Sequence, residues 1–253
     1  MLRIALTVLL AALLSLNACV GSMGRMEENR HQADVHYKRA IAHLEGSNPS
    51  AALRELLKAV ELDPKNSAIH VALAQAYQER RAYPEAESHY LRALGLSNND
   101  PLYQNNLANL YLTMENWDKA IHYFDLAAKN LLFDSNHIAM TGKGYAYLQK
   151  GDYDAALGAF REVAQMDSNY APAFYYQAEV FRQTEDARRE RLALQDTVRL
   201  APELVQARYR LAVLLLREDD VSAARQQLET IINFAPETEQ GRDAAKLLGT
   251  LPE

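Results

Sequence analysis

The stretch PLYQNNLANLYLTMENWDKAIHYFDLAA, Pro101 to Ala128, reads as two amphipathic helices joined by a turn at Glu115-Asn116-Trp117. It sets small Ala108, aromatic Tyr111, small Ala120, aromatic Phe124 and small Ala127 at fixed helical offsets. The small position recurs along the chain as Ala40, Ala74, Ala108, Gly144, Ala178 and Ala212, at intervals of 34, 34, 36, 34 and 34 residues. A bulky residue follows three positions later in each case, as His43, Tyr77, Tyr111, Tyr147, Phe181 and Leu215. The second helix has its own series. Ala52, Ala86, Ala120, Ala156 and Ala224 mark close contact, and Leu56, Tyr90, Phe124, Phe160, Leu194 and Leu228 add apolar bulk one turn on. Helix-stopping chemistry closes the units at Asp63-Pro64, Asn98-Asn99, Asp167-Ser168-Asn169, Ala201-Pro202 and Ala235-Pro236.

This pattern resembles the tetratricopeptide repeat, in which each helix pair buries its apolar face only by stacking on its neighbours. The expected fold is all-α, a right-handed superhelical solenoid of about six helix-turn-helix repeats with a C-terminal capping helix. The expected repeats are 33–66, 67–100, 101–136, 137–170, 171–204 and 205–238, within a body spanning 33–238. Residues 239–253 form the cap and tail, with apolar spacing at Ala244, Ala245, Leu247 and Leu248. The first repeat has a Gly/Pro turn, Gly46 to Ser50, in place of the aromatic turns at Tyr83, Trp117 and Tyr153. The 36-residue interval falls at Lys129–Asn136, KNLLFDSN, where a local break in the superhelix is expected. In repeat five Glu190 replaces the alanine of the other repeats, which predicts looser packing there.

Composition favours helix, with only 10 Gly and 8 Pro in 253 residues. The net charge is −6, with Lys and Arg spread throughout, so there is no basic stripe of the kind that nucleic acid requires. The N-terminus differs in kind. Arg3 precedes the apolar run Ile4–Leu16, too short to span a bilayer but suited to a secretory signal, and residues 1–18 are read as a signal peptide. Leu16-Asn17-Ala18-Cys19 follows and resembles a bacterial lipobox, which predicts lipidation of Cys19, the single cysteine. Residues 19–32 then hold the lipidated cysteine and a tether. Several acyl chains give a stable membrane anchor. Val20 after the cysteine resembles the sorting signal for the inner leaflet of the outer membrane, with the body facing the periplasm.

No catalytic constellation emerges, and the chain is expected not to be an enzyme and to need no cofactor, metal or small-molecule substrate. The seven histidines form no HExxH and no Cys–His set. His36 and His70 share one repeat position and read as packing residues. Gly142-Lys143-Gly144 lies inside a repeat helix, not in a phosphate loop, and Asp152 and Asp154 flank a turn as helix caps. What remains is surface. The first helices of stacked repeats line a groove, and the positions expected to be exposed there are Tyr37, Ile41 and Leu44; Val71, Gln75 and Gln78; Asn105, Asn109 and Leu112; and Thr141, Tyr145 and Leu148. Apolar residues interleaved with amides suit an extended or helical peptide, so the expected partner is a protein. The lysines that clamp a C-terminal carboxylate in chaperone-binding repeats are absent beside Asn105 and Asn109.

Signal peptide, lipobox at Cys19, tether, six repeats and the extended junction together resemble the type IV pilus biogenesis and stability lipoproteins, the PilF/PilW/Tgl group of pilotins. The most specific stretch is AKNLLFDSNHIAMTGKGY, Ala128 to Tyr145. The chain departs from the group at Phe133-Asp134, where relatives carry Tyr-Pro, and at Lys143, where leucine is usual. The resemblance implies an outer-membrane lipoprotein that binds the pilus secretin subunit and promotes its localisation or multimerisation. The alternative is a scaffold lipoprotein for another envelope machine, in outer-membrane protein assembly or cell-wall remodelling.

Overall fold

The computed structural model describes residues 2–130 and 133–252, with side chains from Gly24 onward. The described residues form thirteen helices and no strand: α1 (Leu2–Glu45), α2 (Pro49–Leu62), α3 (Ser67–Glu79), α4 (Tyr83–Leu96), α5 (Pro101–Thr113), α6 (Trp117–Ala128), α7 (Asn136–Lys150), α8 (Tyr153–Met166), α9 (Ala171–Gln183), α10 (Ala187–Leu200), α11 (Val205–Arg217), α12 (Val221–Phe234) and α13 (Glu239–Gly249). They divide into two compact units, Met1–Leu110 and Tyr111–Glu253. In the first, α1, α2, α3 and α4 pack in sequence, and α1 also touches α3. In the second, α6 to α13 pack in sequence, with further contacts of α7 on α9 and of α11 on α13.

One turn geometry makes the hairpins. A residue in the left-handed region ends each first helix: Ser47, Arg81, Glu115, Gly151, Glu185 and Asp219, with φ between +53° and +84°. These follow the ladder interval of the small residues. At Gly151 the amide donates to the Leu148 carbonyl at 3.0 Å, and the next amide, of Asp152, donates to the Tyr147 carbonyl at 2.9 Å. The same pair of bonds recurs at all six turns and satisfies carbonyls that a helix end leaves open. The residue after the left-handed one caps the second helix. Asn48, Asn116, Asp152, Asp186 and Asp220 each accept from the backbone amide three residues on, and only Ala82 makes no such bond. Asp152 is thus the cap expected of it.

The ladder residues form the core. Ala40, Ala74, Ala108, Ala178 and Ala212 are fully buried, as are Leu56, Phe160, Leu194 and Leu228 from the second helices. Each large side chain so enclosed contributes about 1.5–3 kcal/mol of hydrophobic stabilisation. The two glycines of α7 answer to phenyl rings on either side of it. A Cβ on Gly142 would collide with the Phe124 ring of α6, and one on Gly144 would lie 2.6 Å from Cε1 of Phe160 in α8. Glycine is thus what lets both rings reach the α7 backbone. At the far end, Ala244, Leu247 and Leu248 of α13 pack on Ala212, Leu228 and Ile231.

Two features differ from expectation. The segment read as a tether is helical from Gly24 to Gln32 and continues into the first packed helix, with Gln32 donating to Glu28 at 2.8 Å and Ala33 the first buried residue. Glu190 does not loosen its repeat. It is buried, and its Oε1 accepts from Arg210 Nη2 of α11 at 2.6 Å. The junction after α6 is tied down as well. Asn136 Nδ2 donates to the Ala128 carbonyl at 2.8 Å, and Lys143 Nζ lies 2.6 Å from Asp125 Oδ1. Burial alone would raise the Asp125 carboxyl, but Lys129 and Lys143 outweigh it and hold its pKa low. Leu131 and Leu132 lie outside the described residues.

Candidate partner-binding surface

In the first unit the predicted groove residues separate by burial. Tyr37, Ile41 and Leu44 of α1 lie half-buried against the core formed with Leu53, Leu56 and Leu73, each leaving an edge open. Burial pushes the Tyr37 hydroxyl pKa up, with Tyr103 and Asp34 adding to it. Gln75 is exposed, and Gln78 accepts from the Tyr90 hydroxyl at 3.4 Å. Asn109 is exposed and its Nδ2 donates to the Asn105 carbonyl at 3.0 Å. Val71 and Asn105, expected to be open, are buried. Asn105 Oδ1 is enclosed without a hydrogen-bond partner.

The second unit holds the remaining four. Leu112 and Tyr145 are half-buried, and the Tyr145 ring meets Tyr176 edge-on with centroids 5.6 Å apart. Thr141 and Leu148 are buried and correct the expectation of exposure. Thr141 Oγ1 donates to the His137 carbonyl of its own helix at 2.7 Å, and Leu148 joins the core with Ala156, Phe160 and Val180. An amphipathic helix buries a stripe wider than a single row, so positions at the edge of the exposed face are drawn into contact with the next helix.

The same register extends beyond the four repeats first considered. Tyr175, Glu179 and Arg182 of α9, and Tyr209, Val213 and Leu216 of α11, stand 34 residues apart in corresponding positions. The 34-residue interval is the signal that would have found them. Around them lies an ionic network centred on Arg210. Its Nη1 donates to Glu179 Oε2 at 2.9 Å, its Nη2 to Glu190, and its guanidinium stands 5.6 Å from the Tyr175 ring centroid. Glu179 is also paired with Arg182. Burial would raise the Glu179 carboxyl, but bonds from Arg182 and Gln183 and the charge of Arg210 lower it. Arg182, Glu190, Tyr209, Arg210, Val213, Leu214 and Arg217 enclose an open pocket of about 250 Å³.

His36, His70 and His89 are framework. His36 Nδ1 is 2.7 Å from Glu55 Oε2, and 34 residues later His70 Nδ1 meets His89 Nδ1 at 3.0 Å. His70 Nε2 bonds the Pro64 carbonyl at 3.1 Å, and His89 stacks on Tyr77. Hydrogen bonds from His36 and Lys58 bring the Glu55 pKa down to about 2. Among the described residues no three His, Cys, Asp or Glu side chains are grouped to hold a metal ion, and no helix is long and apolar enough to cross a membrane. The Cys19 side chain lies outside the described residues.

A family model for the tetratricopeptide repeat matches residues 37–101 and 105–171. The chain is similar to the type IV pilus assembly protein PilF of Pseudomonas aeruginosa, with 24% identity over 172 residues, covering 66% of this chain and 68% of that protein. It is also similar to the human protein O-mannosyl-transferase TMTC3, with 27% identity over 225 residues, 85% of this chain but only 24% of that protein. Among solved structures, Pseudomonas aeruginosa PilF superposes with a TM-score of 0.68 at 16% identity, covering 87% of this chain and 99% of that one. PilW, described as a widely conserved type IV pilus biogenesis factor, superposes with a TM-score of 0.70 at 17% identity, covering 84% and 98%. At these identities the superpositions establish the fold.

Proposed function

This chain belongs to the tetratricopeptide repeat family, and from that premise we propose that it acts as a non-catalytic lipoprotein pilotin, binding the secretin subunit of a type IV pilus and promoting its localisation and multimerisation at the outer membrane. The observation that carries this reading is the similarity to PilF across two thirds of both chains, together with superposition on nearly the full length of PilF and PilW. The open faces support it. Tyr37, Ile41, Leu44, Gln75, Gln78 and Asn109 in the first unit, and Leu112 and Tyr145 in the second, offer half-buried apolar edges beside amides. Such edges give an incoming peptide apolar area to cover and hydrogen-bonding groups to meet its backbone. Lipidation of Cys19 would supply the membrane address, holding the body within reach of secretin subunits on the periplasmic side.

The test has two arms. Cys19→Ser should leave the helical content of the chain intact while displacing it from the outer membrane and lowering the yield of secretin multimers. Crosslinking in the native envelope should recover secretin subunits with the unaltered chain and fewer with Leu112→Glu. Recovery of a different envelope protein and no secretin would move the assignment to a scaffold for another machine.

A further inference from the structure

The pocket between α9 and α11 is built unlike the apolar and amide face of the earlier repeats. Val213 and buried Leu214 make its apolar side together with the half-buried ring of Tyr209, while Arg182, Arg210 and Arg217 place three guanidinium groups around it. Two of these are already engaged. Arg210 is held between Glu179 and Glu190, and Arg182 is paired with Glu179. Arg217 is exposed and makes no ion pair or hydrogen bond among the described residues. Three cations thus face two carboxylates, on a chain whose overall charge is −6. Within the pocket lining the three guanidinium groups outnumber the single carboxylate, Glu190, and Arg217 is the one of the three without a partner among the described residues.

We propose that this pocket is a docking site for an acidic side chain of a partner polypeptide, an aspartate or glutamate flanked by apolar residues, whose carboxylate meets Arg217 while its neighbours cover Val213 and Tyr209. Size and charge select this occupant. Pockets that enclose a drug-sized ligand hold roughly 300–1,000 Å³, and 250 Å³ open to solvent is room for one or two side chains. A phosphate carries close to two charges and draws on several cations, whereas a single uncompensated guanidinium matches a single carboxylate through its two-pronged donor geometry. Glu190 fixes the arrangement. Its buried carboxylate holds Arg210 half-buried, while Arg182 and Arg217 are the exposed guanidinium groups of the lining. The site lies in repeats five and six, outside the groove residues of the first four, and the inference stands whichever protein the groove takes.

The test uses the full-length protein and three fluorescein-labelled nonapeptides. The first is acetylated and amidated with a central glutamate between two leucines, the second has glutamine for glutamate, and the third keeps glutamine but has a free C-terminal carboxylate. Fluorescence anisotropy should show the glutamate peptide binding about tenfold more tightly than the glutamine peptide, the gain expected of one charge-assisted hydrogen-bonded pair. Arg217→Ala should erase that difference, and Arg217→Lys should restore part of it. Added salt should weaken the glutamate peptide alone. Equal binding of the first two peptides, no binding of any, or a difference that survives Arg217→Ala would overturn the proposal. Preference for the third peptide would overturn it in favour of a chain-terminal carboxylate. Circular dichroism of each variant separates loss of the site from loss of the fold.

Discussion

The Phe160 ring occupies the space in which Gly144 would carry a side chain, with Cε1 2.6 Å from the position of a Cβ. The two residues belong to successive helices of one hairpin, and a side chain at 144 is admitted only where the ring at 160 gives way. Repeats five and six solve the same contact with Ala178 beside Leu194 and Ala212 beside Leu228. An alanine is ordinarily worth about 0.5–1 kcal/mol over glycine within a helix. Here the sign should reverse. Gly144→Ala is expected to destabilise the chain by about 1–3 kcal/mol through overpacking, and Gly144→Ala with Phe160→Leu to recover most of that loss. Urea unfolding of the two single variants and the double variant measures the coupling.

Ala82 is the one residue among six equivalent turns that fails to cap its second helix. Ala82→Asp should bond an open amide at the start of α4 and raise stability by about 1 kcal/mol. A rise in the urea midpoint without a change of slope would show this. No rise would mean that Tyr83-Pro84 already sets that helix start as well as a cap could.

Gly151 adopts φ +84° without cost, whereas Glu185 occupies the corresponding turn at φ +57° with a full side chain. Gly151→Ala should therefore lose about 1 kcal/mol and Glu185→Gly should gain a smaller amount, since left-handed backbone costs an ordinary residue about 1–2 kcal/mol and glycine pays part of that back in the flexibility of the unfolded chain. Thermal unfolding of the two variants should move in opposite directions.

Arg210 neutralises the buried carboxylate of Glu190, so Arg210→Met should cost about 3–5 kcal/mol by stranding that charge. Adding Glu190→Ala should return much of the stability, because alanine fills this position in the other five repeats. An unchanged urea midpoint in Arg210→Met would overturn this account of the pair.

His89 contributes a pH dependence to the first unit. Burial first, and the neighbouring His70 second, push its imidazole pKa down. The unfolded chain then binds the proton more readily than the folded one, so this contribution is full above an unfolded imidazole pKa of about 6.5 and declines as pH falls below it. With His70 Nε2 donating to the Pro64 carbonyl, its Nδ1 accepts from His89 Nδ1, which leaves the added charge of a protonated His89 to be borne in a desolvated site beside a second imidazole. The urea midpoint should fall between about pH 7.5 and about pH 5.5, and His89→Gln, which keeps a donor but cannot titrate, should flatten the fall.

The all-α class, the placement of Ala40 through Ala212 and the packing role of the ladder tyrosines were legible because close-packed helix pairs impose side-chain volumes at a fixed interval, and volume is written in residue type. The turns were less so. Their left-handed residue is Ser47, Arg81, Glu115, Gly151, Glu185 or Asp219, and only one of the six is the glycine that would announce it. The hydrogen bonds that hold the others are backbone bonds and leave no mark on composition. At the candidate site, register alone could not separate exposed Gln75 and Asn109 from buried Val71 and Asn105, since one helix turn decides which side meets a neighbour. The α9–α11 pocket was missed because Glu190 read as a misfit in its own helix, and its counter-ion Arg210 lies 20 residues away.

Stacked hairpins also set the pace at which such a chain can be made. Side-chain bonds between helices join partners close in sequence, from Gln78 and Tyr90, 12 residues apart, to Asp118 and Lys150, 32 apart. Contacts of short sequence range favour rapid folding, and in a repeat array order can start in one place and spread. A hairpin therefore has its partners as soon as the next few dozen residues emerge from a ribosome or a translocation pore. A chain threaded unfolded across a membrane could take shape behind its own leading end, without waiting for its last residue.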